Sequence, residues 1–226
     1  MRQQLPNFIT LLNAASGFAA IVYASASEFT IAVLLLLLAA IFDFFDGAVA
    51  RMLSVTSKEG VWLDSMADLV SFGVAPGVFL IFFFSTKSSP NPGLLALGAL
   101  LFIGALVRLV RFSLSEKESS GNFEGLPTPA MTLSIIGFSY YFKSLEWSFD
   151  TPVQKLVVIA MVLVHFFWMI SKVKTLGFKF KSAAFRENWN RYLFVVLLVV
   201  LFPLLGVDAV PLVFVGYGLL SVTLKF

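Results

Sequence analysis

The stretch DFFDGAVARMLSVTSKEGVWLDSMAD, residues 43–68, decides how the chain is read. It places Asp43, Asp46, Asp64 and Asp68 in segments otherwise apolar enough to cross a bilayer. A carboxylate in hydrocarbon costs roughly 3 kcal/mol on insertion scales unless it is paired or metal-bound. Four of them on two neighbouring segments point to a shared charge partner. Asp43 and Asp46 are three residues apart, Asp64 and Asp68 four, so on helices each pair lies on one face. Two antiparallel helices then gather four carboxylates around one point. Oxygen ligands with no His or Cys nearby suit a hard cation: Mg²⁺, Mn²⁺ or Ca²⁺. Gly47 and, about one turn on, Ala50 leave room for a ligand to approach the helix backbone. Arg51 is placed to contact phosphate or to pair with an Asp. Two other readings of the acids stay open: a polar helix–helix contact, and a carboxylate cluster for ion transport. Neither accounts for the small residues and the Arg at fixed offsets.

The composition sets the class. The chain has 226 residues, 59% of them hydrophobic and 13% charged, with a mean hydropathy of +0.92. A soluble domain carries about 25% charged residues. The expectation is an all-α polytopic membrane protein, a single domain over 1–226 with its site in the segments 29–84. There is no cysteine, hence no disulfide framework and no thiolate chemistry. The net charge is only +3, and no nucleic-acid partner is expected. The start resembles a secretory signal, with Arg2, an apolar run and Ala24-Ser25-Ala26. Asn7, Thr10 and Asn13 interrupt that run, so a retained first helix is expected.

Apolar runs bounded by Pro, Gly, Ser or charge predict eight helices: 5–25, 29–54, 60–84, 92–113, 127–145, 151–171, 189–203 and 207–224. Gly73, Pro76 and Gly77 are expected to loosen or kink the third. With the N-terminus cytoplasmic, 13 of 16 basic residues fall on the cytoplasmic side, and only Lys87, Lys143 and Lys155 fall outside. The positive-inside rule then predicts eight crossings, both termini cytoplasmic, and the acids near the cytoplasmic ends of helices two and three.

The pattern Asp43-x-x-Asp46-Gly47-x-x-Ala50-Arg51, eight residues, Gly60-x-x-x-Asp64-x-x-x-Asp68 resembles the signature of the CDP-alcohol phosphotransferase family, complete at all eight positions. The resemblance implies an integral membrane enzyme that takes a CDP-linked donor, transfers its phosphatidyl or related group to an acceptor hydroxyl and releases CMP. It implies a homodimer. It also implies that Asp43, Asp46, Asp64 and Asp68 hold two divalent cations, Mg or Mn, with Ca also possible. Asp68 would act as general base. Gly47, Ala50 and Gly60 would make room for the cytidine phosphate, and Arg51 would support the phosphates.

Three further segments narrow the resemblance. LDSMADLVSFGVAPG (63–77), LPNFITLLNAASGF (5–18) and RLVRFSLSEKESSGNFEGLPTPA (108–130) are similar to the subgroup whose substrates are CDP-diacylglycerol and L-serine. Ser113 stands where that subgroup carries Asn, a departure from its pattern. Ser65 falls in the first of these segments. Asn7, Thr10 and Asn13 share a helix face and serve either the substrate site or helix–helix hydrogen bonds. Arg111 is read as a receptor for phosphate or a serine carboxylate, Arg108 as a topology anchor at the membrane surface. The loop 172–191, with six basic residues and four aromatics, reads as a topology determinant or as a segment lying against membrane lipid headgroups. His165 is expected to be neutral, hydrogen-bonded and structural. The rival acceptors are glycerol 3-phosphate, inositol phosphate and choline, the first two wanting an extra basic pocket such as Arg108 and Lys117. The rivals of other classes are a cation transporter and an inactive scaffold.

Overall fold

α1 (Gln4–Ser25) and α2 (Phe29–Met52) form the first hairpin. α1 is closed off two residues past its end by Ser27, whose φ of 64° lies in the left-handed region. Ser27 N–H donates to the Ala24 carbonyl at 3.0 Å and Glu28 N–H to the Tyr23 carbonyl at 2.9 Å, which satisfies two carbonyls of the last turn. The two helices meet through small side chains, Ala20, Ala24 and Ala32, all buried. Small residues let membrane helices approach closely. The computed structural model describes residues 4–55, 57–85, 91–114, 123–175 and 185–222. Arg2, Lys87, Lys117, Lys225, residues 115–122 of the connection and 176–184 of the basic loop lie outside the described residues, so the expectations attached to them do too.

The third rod is composite. α3 (Lys58–Asp68) runs through a π-helical stretch, Leu69–Val74, into α4 (Ala75–Phe83). Ser57 caps α3, its Oγ accepting from Gly60 N–H at 3.0 Å. The π stretch has an identifiable cause. Pro76 has no N–H to give to the Phe72 carbonyl one turn back. Thr132 Oγ1, from another helix, lies 3.3 Å from that carbonyl and 3.0 Å from its own Thr128 carbonyl, sharing one proton between them. The expected loosening is therefore a widened turn in an unbroken rod.

α5 (Pro92–Leu114) crosses α4 at Gly77 and Gly98, where a Cβ on Gly77 would sit 2.8 Å from the Gly98 carbonyl oxygen. α6 (Thr128–Ser144) and α7 (Pro152–Ile170) complete the main core with α5, around Leu101, Met131, Ile135, Val162 and Met169. A capping box starts α7: Thr151 Oγ1 accepts from Gln154 N–H, and Gln154 Oε1 from Thr151 N–H. α8 (Phe185–Leu205) and α9 (Ala209–Val222) fold back on each other through a 3₁₀ turn, Gly206–Asp208, with Gly206 at φ 56°. The Phe194 and Tyr217 rings then lie 5.3 Å apart across the hairpin.

The fold class is as expected, nearly all helical. One small addition is an antiparallel pair, β1 (Phe123–Glu124) with β2 (Lys174–Thr175). Among the described residues, six helical stretches are long and apolar enough to cross a membrane, against the eight predicted. Two particulars account for the difference. α6 has 17 residues, about 26 Å at ~1.5 Å per residue, against a hydrocarbon core of ~30 Å. The stretch Tyr192–Ser221 is a single apolar run that the Gly206 turn divides into two helices. Leu34, Ile41, Phe44, Leu204 and Leu219 project outward and are exposed, as lipid-facing residues are.

Candidate active site

α2 carries Asp43 and Asp46 to the same end of the bundle at which α3 presents Asp64 and Asp68. One carboxylate oxygen from each of Asp43, Asp64 and Asp68 lies within 4.8 Å of the others. These three are half-buried. Asp46 stands beside the trio at 5% exposure, in the field of Asp64 and next to the Thr10 hydroxyl. Asp46 Oδ2 and Asp64 Oδ1 are buried without a hydrogen-bond partner. Buried carboxylate oxygens that nothing in the fold satisfies are costly. Their arrangement fits a hard cation with oxygen ligands.

α1 lines the site along one face. Asn13 is fully buried, and its Nδ2–H donates to Asp68 Oδ1 at 3.2 Å. Its Oδ1 has no partner. The Asn13 backbone carbonyl accepts from Ser71 Oγ at 3.0 Å, which ties α1 to the π stretch. Gly17, one turn on, makes that approach possible, since a Cβ there would lie 2.6 Å from Ser71 Cα. Thr10 Oγ1 donates to the Pro6 carbonyl at 3.0 Å and borders Asp46. Asn7 Oδ1 borders Gly60, 3.5 Å from where a Cβ would be. The three polar residues of α1 thus lie against Gly60, Asp46 and Asp68.

The remaining residues fall in two groups. Gly47 lies under the Arg51 guanidinium, whose Nη1 would be 3.2 Å from a Cβ on Gly47. Arg51 is exposed and faces Asp46, and Ala50 beside it is half-buried. Ser65 donates to the Val61 carbonyl at 3.0 Å and pairs with Ser113 Oγ at 2.9 Å, joining α3 to the end of α5. Arg111 is turned to other partners. Its Nη1–H donates to the Ile170 carbonyl at 2.6 Å, and its Nη2 lies 3.6 Å from Glu124 Oε2, with its side chain 39% exposed. It pins the end of α7 to β1.

Arg108 is the residue the sequence reading misplaced. It is buried at 9% exposure, where the expectation was a surface anchor. From α5 it faces Asp68 and Asp43, with Tyr217 of α9 beside it. The signal was in the phase of α5. Leu97, Leu101, Ala105 and Arg108 follow one another at helical spacing as buried residues. Tyr217 also adjoins Thr175 of β2 and Ser221. Nothing in the local sequence of the C-terminal helices announces that contact. His165 is buried as expected. Its Nδ1 lies 2.7 Å from the Met161 carbonyl, which only accepts, so Nδ1 carries the proton, and Nε2 meets Ser134 Oγ at 2.8 Å. Its ring stacks on Phe214 at 4.7 Å.

A sequence model of the CDP-alcohol phosphatidyltransferase family matches residues 3–206. The chain is also similar to individual relatives. A CDP-diacylglycerol–serine O-phosphatidyltransferase of Helicobacter pylori is 32% identical over 202 residues, 87% of this chain and 79% of that one. The protein of the same name from Saccharomyces cerevisiae is 35% identical over 194 residues, 74% of this chain and 68% of that one. An archaetidylserine synthase of Methanothermobacter thermautotrophicus is 30% identical over 162 residues, 70% of this chain and 68% of that one.

Proposed function

The chain belongs to the CDP-alcohol phosphatidyltransferase family, and on that premise we propose that it transfers the phosphatidyl group of CDP-diacylglycerol to the hydroxyl of L-serine, giving phosphatidylserine and CMP. The observation that carries the reaction class is the convergence of Asp43, Asp64 and Asp68 within 4.8 Å on two membrane helices, with Asp46 beside them. The acceptor rests on the relatives: serine is common to the names of the bacterial, yeast and archaeal proteins, while the lipid part of the name changes.

Asp43, Asp46, Asp64 and Asp68 would hold two divalent cations, Mg²⁺ or Mn²⁺. Bound there, such ions neutralise the donor's diphosphate and stabilise the leaving CMP. The chain's own residues do the rest. Asp68 accepts the proton of the serine hydroxyl, an alcohol being a poor nucleophile until that proton is taken. Asn13 holds the carboxylate by donating to its Oδ1. The serine oxygen forms a bond to the phosphorus that carries diacylglycerol, and the bond from that phosphorus to CMP breaks, CMP leaving with the electron pair. Among the described residues no other strong nucleophile stands at the site, which favours direct transfer. Gly47, Ala50 and Gly60 form the small-residue wall against which the cytidine phosphate would lie, and the exposed Arg51 would meet its phosphates.

The same reading makes 1–226 one membrane domain with its site toward the cytoplasm, supported by the distribution of Lys and Arg. A homodimer is part of the proposal on family grounds. The test is an acceptor panel. Purified protein receives CDP-diacylglycerol, Mg²⁺ or Mn²⁺, and serine, glycerol 3-phosphate, inositol phosphate or choline, with CMP and lipid product followed. CMP and phosphatidylserine with serine alone are expected. CMP with a different acceptor overturns the serine assignment. No CMP with any acceptor overturns the transferase reading and leaves ion flux as the next assay.

A further inference from the structure

Arg108 has a deeply buried guanidinium whose donors the fold leaves largely unused. A guanidinium offers five N–H groups in a planar fork. Here Nε has no hydrogen-bond partner, and Nη1–H reaches Thr128 Oγ1 only at 3.5 Å. Arg108 faces Asp68 and Asp43, yet among the described residues no ion pair within 4.0 Å joins it to either acid. A buried guanidinium with donors left unused weakens the fold unless something fills the gap. Arg111, three residues on, is engaged differently, with the Ile170 carbonyl and Glu124.

We propose that Arg108 receives the α-carboxylate of the acceptor, so that the acceptor lies between the guanidinium and Asp68. The inference rests on the transfer reading above and names what that site selects: a hydroxy amino acid in preference to a bare amino alcohol. Three features argue for the acceptor's carboxylate. Arg108 faces Asp68, the group assigned the acceptor's proton. The other arginine near the acids, Arg51, lies over Gly47 at the exposed side, where the donor's phosphates would enter. A planar fork matches a carboxylate with two parallel hydrogen bonds.

The test uses ethanolamine, which is serine without its carboxylate. Wild-type protein in detergent with CDP-diacylglycerol and Mn²⁺ is expected to use serine far better than ethanolamine. In Arg108→Gln the KM for serine should rise about tenfold to a thousandfold, the KM for CDP-diacylglycerol should stay within about twofold, and the preference for serine over ethanolamine should collapse. Arg108→Lys should recover part of it. A rise in KM for the CDP-lipid alone overturns the proposal in favour of a donor-phosphate receptor. A fall in kcat that is equal for both acceptors, with both KM values unchanged, also overturns it and leaves Arg108 as a positioning residue for Asp68. If Arg108→Gln does not fold, the wild-type protein still decides. Glycine and L-alanine, which keep carboxylate and ammonium, should compete with serine, and ethanolamine should compete poorly. Equal competition by ethanolamine overturns the proposal. Wild-type protein that gives no CMP with serine overturns the serine reading itself, a result distinct from serine use that is indifferent to Arg108.

Discussion

Asn13 donates from Nδ2 to Asp68 Oδ1 at 3.2 Å, and through that bond α1 fixes the orientation of a carboxylate on α3. Asn13 is fully buried and Asp68 half-buried, so the bond is largely shielded from competing water. Asn13→Leu keeps the volume and removes the donor. It should lower kcat about tenfold to a hundredfold, as the loss of an outer hydrogen-bond partner commonly does. Steady-state CMP release gives the number, and an unchanged unfolding midpoint would show that the helix is still in place.

Asp68→Asn removes the proton acceptor and leaves the volume almost unchanged. Transfer should be abolished while binding of CDP-diacylglycerol is largely kept. Equilibrium binding of CDP-diacylglycerol beside turnover separates the two. Near-normal turnover would refute the assignment of Asp68 as base.

Divalent cations should stabilise the protein in the absence of any substrate. A ligand that binds only the folded state at a hundred times its Kd adds about 2.7 kcal/mol. Mn²⁺ should therefore raise the unfolding midpoint of the wild-type protein, EDTA should reverse the rise, and Asp43→Asn or Asp64→Asn should shrink it. An equal rise in those variants would mean that the ion binds elsewhere.

Gly77→Ala should separate α4 from α5, because the added Cβ would meet the rigid Gly98 carbonyl at 2.8 Å. Overpacking of this kind costs about 1–3 kcal/mol. Gly216→Ala is the control, since its Cβ meets only the flexible end of Leu197 at 3.3 Å. Denaturant unfolding of both variants should show a loss at position 77 and little change at 216.

The acids were legible because their cost in an apolar segment is large and their spacing of three and four is local information. His165 was legible for a related reason: its own helix face offers no second ligand. Arg108 was misjudged because an Arg near a helix end looks the same in sequence whether it snorkels outward or points inward. Only the phase of α5, read from Leu97, Leu101 and Ala105, separates the two. Tyr217 lies far from the acids in sequence, so its place beside Arg108 is a property of packing alone. The β1–β2 pair was missed because two-residue strands carry no periodicity to read. α6 was legible to within one residue at each end, predicted over 127–145 and found over Thr128–Ser144, because Pro127 and Pro129 mark its start.

The widened turn at Leu69–Val74 has a consequence for how this rod tolerates insertion and deletion. A π turn accommodates one residue more than an α turn, so it absorbs a residue that in an unbroken α-helix would turn everything after it by about 100° around the axis. The acids upstream and Gly77 downstream keep their faces together only because the wide turn takes up that residue. Tightening the turn to α geometry without shortening the chain would make the rod choose between presenting Asp64 and Asp68 to Asp43 and presenting Gly77 to Gly98. Deleting one residue between 69 and 74 should let the turn close to α with both faces kept. Shape, more than greasiness, sets the count of residues here.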